Sequence, residues 1–385
     1  MDLAFLRPVV EAPGPWASVY MNTSQVSESA AGEQQATARE ACDLLARQGA
    51  DPATCRAVRD ELASIPRSSG AAGYAVFAGG GEVVLSTPLA TAPESGPIAD
   101  WSALPHLGPL VDFKGEDPKC LVAYIDRTGA DFELRDDWGR SPAGECRGTE
   151  WPVHRTGSAD WSERHFQLRV ENTWEHNAGE IAEALRHRWE ETRPDLLVLV
   201  GDARERRAVH DRLAEPLREA AVEVEHGSRA AGTDPVLLDA EVSRARLDHV
   251  QGHTAQAVDQ LRAGRAQAAV DEHDAVEGVP ALVRAARQHR IGSLLFRPDG
   301  PDLHREVWVG REPDQIGVRH TELQYLGDTE PFPARADDAL LRAAAAGGAE
   351  VLAVYRPEDV PDDLPAGGLG ALLRWPSDNG HPEAR

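Results

Sequence analysis

Lys119-Cys-Leu-Val-Ala-Tyr-Ile-Asp126, the turn Arg127-Thr-Gly129 and Ala130-Asp-Phe-Glu-Leu134 read as an extended apolar run, a tight turn and a second extended run, the pattern of a β-hairpin. A long polar stretch follows and ends at His154-Arg-Thr-Gly-Ser-Ala-Asp-Trp-Ser-Glu-Arg-His165. A helix comes next, clearest over Glu180-Ile-Ala-Glu-Ala-Leu-Arg-His-Arg-Trp189, where Ile181, Leu185 and Trp189 recur at four-residue steps and so share a buried face. Hairpin and helix form a rigid base for an irregular excursion expected over residues 138–165. Loops held in this way are where function tends to sit. The unbroken apolar run Leu196-Leu-Val-Leu-Val200 has the composition of a strand covered on both faces. Hairpin, helix, buried strand and helix in this order predict an α/β layer domain.

Working outward, the preceding segment opens with a strand at Trp16–Met21. A helix follows in which Ala38, Ala41 and Leu45 align before Gly49, and a second, started by Asp51-Pro52, is expected to bury Cys55, Val58, Leu62 and Ile65. Tyr74–Phe77 and Glu82–Leu85 flank Gly79-Gly80-Gly81, read as a turn needing positive φ; no helix follows these glycines, as a phosphate loop would require. Residues 87–109 show little periodicity and lead to a linker near Gly115-Glu-Asp-Pro118.

Beyond the Leu196–Val200 run, one helix is expected to bury Val209, Leu213 and Leu217. Another starts at Asp234-Pro235 and passes Leu247, and a further one spans Gln256–Ala266. From Ala275 onward, helices at Val279–Gln288 and Asp337–Ala346 alternate with strands at Ile291–Phe296 and Glu350–Tyr355. The expected organisation is an N-terminal α/β domain over 1–115, a middle domain over 116–274 and a C-terminal α/β sandwich over 275–385.

Composition narrows the function. The 385 residues are 41% hydrophobic and 27% charged, ordinary for a folded chain. The formal charge of −24 argues against a protein that coats nucleic acid, because that binding rests on Lys and Arg neutralising phosphates, so any RNA contact must be local. Basic character is nearly all arginine, the lysines being Lys114 and Lys119. Cys42, Cys55, Cys120 and Cys146 have no spacing that would put a pair on one metal, and no metal or other cofactor is expected. No targeting or membrane-spanning run is evident, so the expected location is cytoplasmic, with reduced thiols and no membrane partner.

The order of elements resembles the archaeo-eukaryotic peptide-chain release factor and Pelota superfamily, in particular its bacterial branch of Balon-like ribosome hibernation factors. The residues that carry the resemblance are Val122-Ala-Tyr-Ile-Asp126 with Gly129-Ala-Asp-Phe132, Leu197-Val-Leu-Val-Gly201, Glu277-Gly-Val-Pro-Ala-Leu-Val283 and Gly367-Gly-Leu-Gly-Ala-Leu-Leu-Arg-Trp375. The resemblance implies a three-domain architecture with a ribonuclease-H-like middle layer. Its catalytic signature is a Gly-Gly-Gln tripeptide in the middle-domain loop, whose glycines let backbone approach the ester and whose glutamine positions water. Here the stretch reads Arg155-Thr-Gly-Ser-Ala-Asp-Trp-Ser162, with Gly157 alone and no glutamine before Gln167. The loop Ala46-Arg-Gln-Gly-Ala-Asp51 lacks the family's codon-reading Asn-Ile-Lys-Ser.

What the resemblance then implies is a non-catalytic factor in the ribosomal A site, for hibernation or rescue, with ribosomal RNA and possible elongation factor Tu as partners. The candidate RNA-contact residues are Arg155, Gly157, Ser158, Asp160, Trp161, Arg164, His165 and Arg169, with no catalytic residue among them. Two alternatives stand beside this reading. One is a peptidyl-tRNA hydrolase with an altered loop, His165 serving as base. The other is a metal-dependent nuclease using Asp126, Asp131 and Asp202 at strand ends, where aspartates also serve as ordinary turn residues.

Overall fold

In the computed structural model the described residues are 1–23, 30–65, 71–136, 139–148, 161–227, 229, 235–267, 274–325, 330–355 and 364–375. The chain divides into two compact units, Asp117–His253 and a second built from Met1–Glu116 with Thr254–Arg385. The two ends of the chain, expected as separate domains, thus lie in one unit, and one core cluster holds Tyr20, Phe77, Leu107, Leu294, Leu340 and Leu369 together.

The Asp117–His253 unit has a five-stranded sheet in the order Gly139–Arg147, Gly129–Asp136, Cys120–Asp126, Leu196–Val200, Ala221–Val224. The first three strands are antiparallel neighbours, and the last two run parallel to Cys120–Asp126. This is the order and direction of a ribonuclease-H-like layer. Leu196–Val200 explains why the sheet is buried on both sides. Leu197 and Leu199 join Leu121, Ala123 and Ile125 in a core closed by Ala178, Ile181 and Leu185 of the Trp161–Thr192 helix. Leu196, Val198 and Val200 join Cys120 and Val122 under Leu238, Val242 and Ala245 of the Pro235–Gln267 helix. A period of two distributes one apolar run between two helices.

Several expectations for this unit are corrected. Residues 139–147 are a strand, whereas they were expected in the long excursion. The helix begins at Trp161, so Trp161, Arg164 and His165 are helical residues and not loop. Residues 235–267 form one helix in place of the two expected. The helix carrying Val209 stops at His210, and Leu217 lies in a separate turn, Glu215–Glu219, because Pro216 lacks an N–H and its ring would clash with the preceding turn.

In the other unit, Glu82–Leu89, Gly73–Gly79, Trp16–Asn22 and Ile98–Ser102 form an antiparallel sheet. Ala17, Val19 and Met21 face the helices Ala30–Gln48 and Pro52–Ser64, while Trp16 and Tyr20 face the shared core. Val58, Leu62 and Ile65 are buried as expected, whereas Cys55 is only half-buried. Gly80 and Gly81 take positive φ (61° and 87°), which makes the glycine run a turn. Ile98–Ser102 is a strand where no structure was expected. The Gln48 side chain binds its free edge: its amide donates to the Ala99 carbonyl (2.8 Å) and its oxygen accepts from the Trp101 N–H (2.7 Å).

The last part of the chain adds the sheet Ala275–Glu277, Leu369–Leu373, Ile291–Phe296, Glu350–Ala353 and a small sheet of Ile316–Gly317, Glu306–Val309 and Phe332–Arg335. Helices Val279–Arg287 and Ala336–Gly347 pack into this part, the latter with Ala336 through Ala345 buried. No helix among the described residues is long and apolar enough to cross a membrane.

Candidate functional site

The stretch singled out by the sequence lies between the Gly139–Arg147 strand, followed by Gly148, and the Trp161–Thr192 helix. Arg155, Gly157, Ser158 and Asp160 lie outside the described residues. Trp161, Arg164, His165 and Arg169 occupy the first turns of the helix, and side chains in that helix are described from Trp174 onward.

The base of this stretch is built by residues 127–148 and by Asn177. The Gly148 N–H donates to the Thr128 carbonyl (2.8 Å), so the chain leaves the edge strand tied to the hairpin turn. Asn177, 1% exposed, donates from Nδ2 to the Arg127 carbonyl (3.0 Å). A Cβ at Gly148 would stand 2.4 Å from the Asn177 amide carbon, so glycine is what lets strand and helix approach this closely. The turn itself is set by Asp126, whose carboxylate accepts from the Thr128 N–H (2.7 Å) and hydroxyl (2.7 Å). Arg127 reaches Glu205 on the next helix at 2.9 Å. Burial pushes the Glu205 carboxyl upward, against the pull of Arg127.

Arg229 crosses to the same end of the sheet. It holds Asp131 through Nε and Nη2, both at 2.9 Å, and Asp126 through Nη1 at 3.3 Å. Burial alone would raise the Asp126 carboxyl, but the Thr128 hydrogen bonds and the Arg229 guanidinium outweigh it and hold it below the usual carboxylate range. Asp202 caps the Ala203–His210 helix by accepting from the Arg204 N–H (3.0 Å). All three candidate metal carboxylates are therefore committed to protein donors. Among the described residues no three His, Cys, Asp or Glu side chains are grouped to hold a metal ion.

Two hollows flank this base. One of about 350 Å³ lies over Tyr124, Asp131, Glu133, Arg140 and Arg229, and its charges face one another: Arg135 beneath it binds Glu133 (2.6 Å), and Arg140 and Arg135 both reach Asp239. The other, of about 660 Å³, runs between Cys146–Arg147 and the helix at Glu175, His176, Glu180 and Glu183. Its lining sets three carboxylates, Glu175, Glu180 and Glu183, beside Arg147 and two histidines, His176 and His187. Asn177, Gly148 and Arg229 were missed by sequence reasoning, and their partners lie far along the chain, so no local pattern marks them.

Residues 119–267 match the model of the Bacterial archaeo-eukaryotic release factor family 2. An uncharacterized protein of Mycobacterium tuberculosis is 26% identical over 382 residues, covering 97% of each chain. Among solved structures, the archaeal Pelota of a ribosome-bound Pelota model aligns over 97% of this chain and 94% of its own, at 12% identity and a TM-score of 0.41. Saccharomyces cerevisiae Dom34 aligns over 98% and 94% at 10% identity and a TM-score of 0.39.

Proposed function

We propose, from the match of residues 119–267 to the bacterial archaeo-eukaryotic release factor family 2, that the chain is a ribosome-binding translation factor that does not cleave peptidyl-tRNA. The observation that carries this reading is the family match around a stretch that lacks the tripeptide. Ser158 and Ala159 restrict φ and add bulk where the family has glycine, and Asp160 brings negative charge toward phosphate. The candidate contact residues remain Arg155, Gly157, Ser158, Asp160, Trp161, Arg164, His165 and Arg169, with the Trp161 indole suited to stack on a base. The proposed place of action is the A site of cytoplasmic ribosomes, in hibernation or rescue, with elongation factor Tu as a candidate partner. In this reading 1–115, 116–274 and 275–385 act as three functional parts.

Sedimentation through sucrose gradients from stressed and growing cells tests the binding. Co-migration with ribosomes, weakened by Trp161→Ala, is the expected result, and a protein that stays at the top under every condition overturns the reading. A release assay on ribosomes carrying labelled peptidyl-tRNA tests the lack of catalysis. Turnover above background would put the altered-loop hydrolase first.

A further inference from the structure

In the unit formed by the two ends of the chain, two acidic side chains are buried side by side at the start of the Ala336–Gly347 helix: Asp337 is 1% exposed and Asp338 2%. Buried carboxylates are costly unless paired and hydrogen-bonded. Asp338 accepts from the N–H groups of Leu107 (2.7 Å) and Gly108 (3.3 Å), and lies 3.0 Å from His106 Nδ1. Asp337 binds Arg335 Nε (3.0 Å) and accepts from the Asp338 N–H (2.8 Å).

His106 is fixed from the other side through its backbone. Its N–H donates to Ser18 Oγ (2.9 Å) and its carbonyl accepts from the Tyr20 hydroxyl (2.5 Å). The charged groups facing the imidazole are therefore Asp338, Asp337 and Arg335 at the head of the helix, while Ser18 and Tyr20 of the Trp16–Asn22 strand hold the His106 backbone. Asp100 of the Ile98–Ser102 strand acts on Tyr20 and Arg335 in the same cluster. With His106 protonated, two buried carboxylates meet two cations. With it neutral, Arg335 alone compensates both.

We propose that this cluster is a proton-controlled clasp between residues 104–108 and the head of the Ala336–Gly347 helix, closed while His106 is protonated and loosened when it is neutral. The chain segments it joins are 232 positions apart in sequence, so it acts on how the N-terminal sheet and the C-terminal helix hold together. Burial pushes the imidazolium down, but the hydrogen bond and charge of Asp338 prevail and hold it above its ordinary value. Burial and the neighbouring Asp338 also push the Asp337 carboxyl up. A histidine raised in the folded state contributes stability that is complete below its unfolded pKa and is lost as pH rises through the folded one. The clasp therefore loosens on the alkaline side.

The test is hydrogen exchange on the full chain at about pH 6 and about pH 9, corrected for intrinsic rates, with His106→Gln beside the unmodified protein. Protection of peptides covering 104–112 and 336–346 is expected to fall about tenfold across that interval in the unmodified protein and to be pH-independent in His106→Gln, with peptides covering 120–136 as control. Equal protection at both pH values, or the same fall in the variant, overturns the proposal. Should His106→Gln fail to fold, proton NMR titration of the His106 ring in the unmodified protein decides. Titration above about 6.5 supports the clasp, and titration at or below that value overturns it.

Discussion

Replacing Gly148 with alanine and Asn177 with alanine, singly and together, probes the base of the candidate contact stretch. Asn177→Ala removes the 3.0 Å bond to the Arg127 carbonyl. Losing a buried hydrogen bond and leaving its partner unmet costs about 1–3 kcal/mol. Gly148→Ala sets a methyl 2.4 Å from the Asn177 amide carbon, where ordinary contact begins near 3.4 Å, so the amide must retreat by the difference, 3.4 − 2.4 = 1.0 Å. A retreat of that size takes a 3.0 Å bond out of hydrogen-bonding range. Both single variants thus lose the same bond by different routes. The double variant loses it once, and its new methyl occupies space that the amide vacates. Each single change is expected to lower protection of peptides covering 120–136 by about 2 kcal/mol, roughly thirtyfold in exchange, and the double change by no more than either alone. Hydrogen exchange on the full chain reads this locally, which matters because a chain of two units does not unfold in one step. Additive losses would refute the shared-bond argument. Ribosome co-sedimentation of the same variants then reports whether the base must be intact for binding.

Arg229→Ala is expected to raise the Asp126 carboxyl toward its ordinary value and to shrink acid sensitivity. The depressed carboxyl contributes stability present above its unfolded pKa and lost as pH falls through the folded one, so urea denaturation should show a flatter acid limb in the variant. Arg342 is 7% exposed and donates to the carbonyls of Gly310, Arg311 and Glu312. Arg342→Met should cost about 2–4 kcal/mol and lose exchange protection over 306–317, because those carbonyls lose a charged donor. The Cys120 thiol is fully buried and pushed up to about 12 by that burial, so it should resist iodoacetamide at neutral pH until denaturant opens the middle unit, as mass spectrometry of the labelled peptide would show.

The elements legible in the sequence were those whose apolar residues repeat. Ile181 and Leu185 sit at zero exposure on the face the four-residue steps indicated, and Leu196–Val200 is buried throughout. Gly139–Arg147 escaped notice because it is an outer strand with mostly exposed side chains, defined by its backbone ladder to Gly129–Asp136. Ile98–Ser102 escaped for a related reason, with all five residues half-buried and no alternation to read. The two helices expected past Leu247 and over Gln256–Ala266 are one, and it runs through Gly252, where nothing stands within 4 Å of a Cβ, at a cost of about 1 kcal/mol. At the candidate site, the hairpin turn was legible from Arg127-Thr-Gly129, whereas the Asn177 and Arg229 pairings span 50 and 98 positions and appear only once the sheet is assembled.

Gln48 bears on how the protein behaves in company. An outermost strand offers unpaired amides and carbonyls that another chain can copy, and this is a common route to aggregation. At Ile98–Ser102 a side-chain amide from the neighbouring helix stands in for the missing strand, taking the Ala99 carbonyl and the Trp101 N–H at once. Among the described residues, Gln48 thus occupies two backbone groups of that edge. An alanine there is expected to free both groups as a template for self-association while leaving the hydrophobic core untouched, and light scattering of concentrated Gln48→Ala beside the unmodified protein would show it.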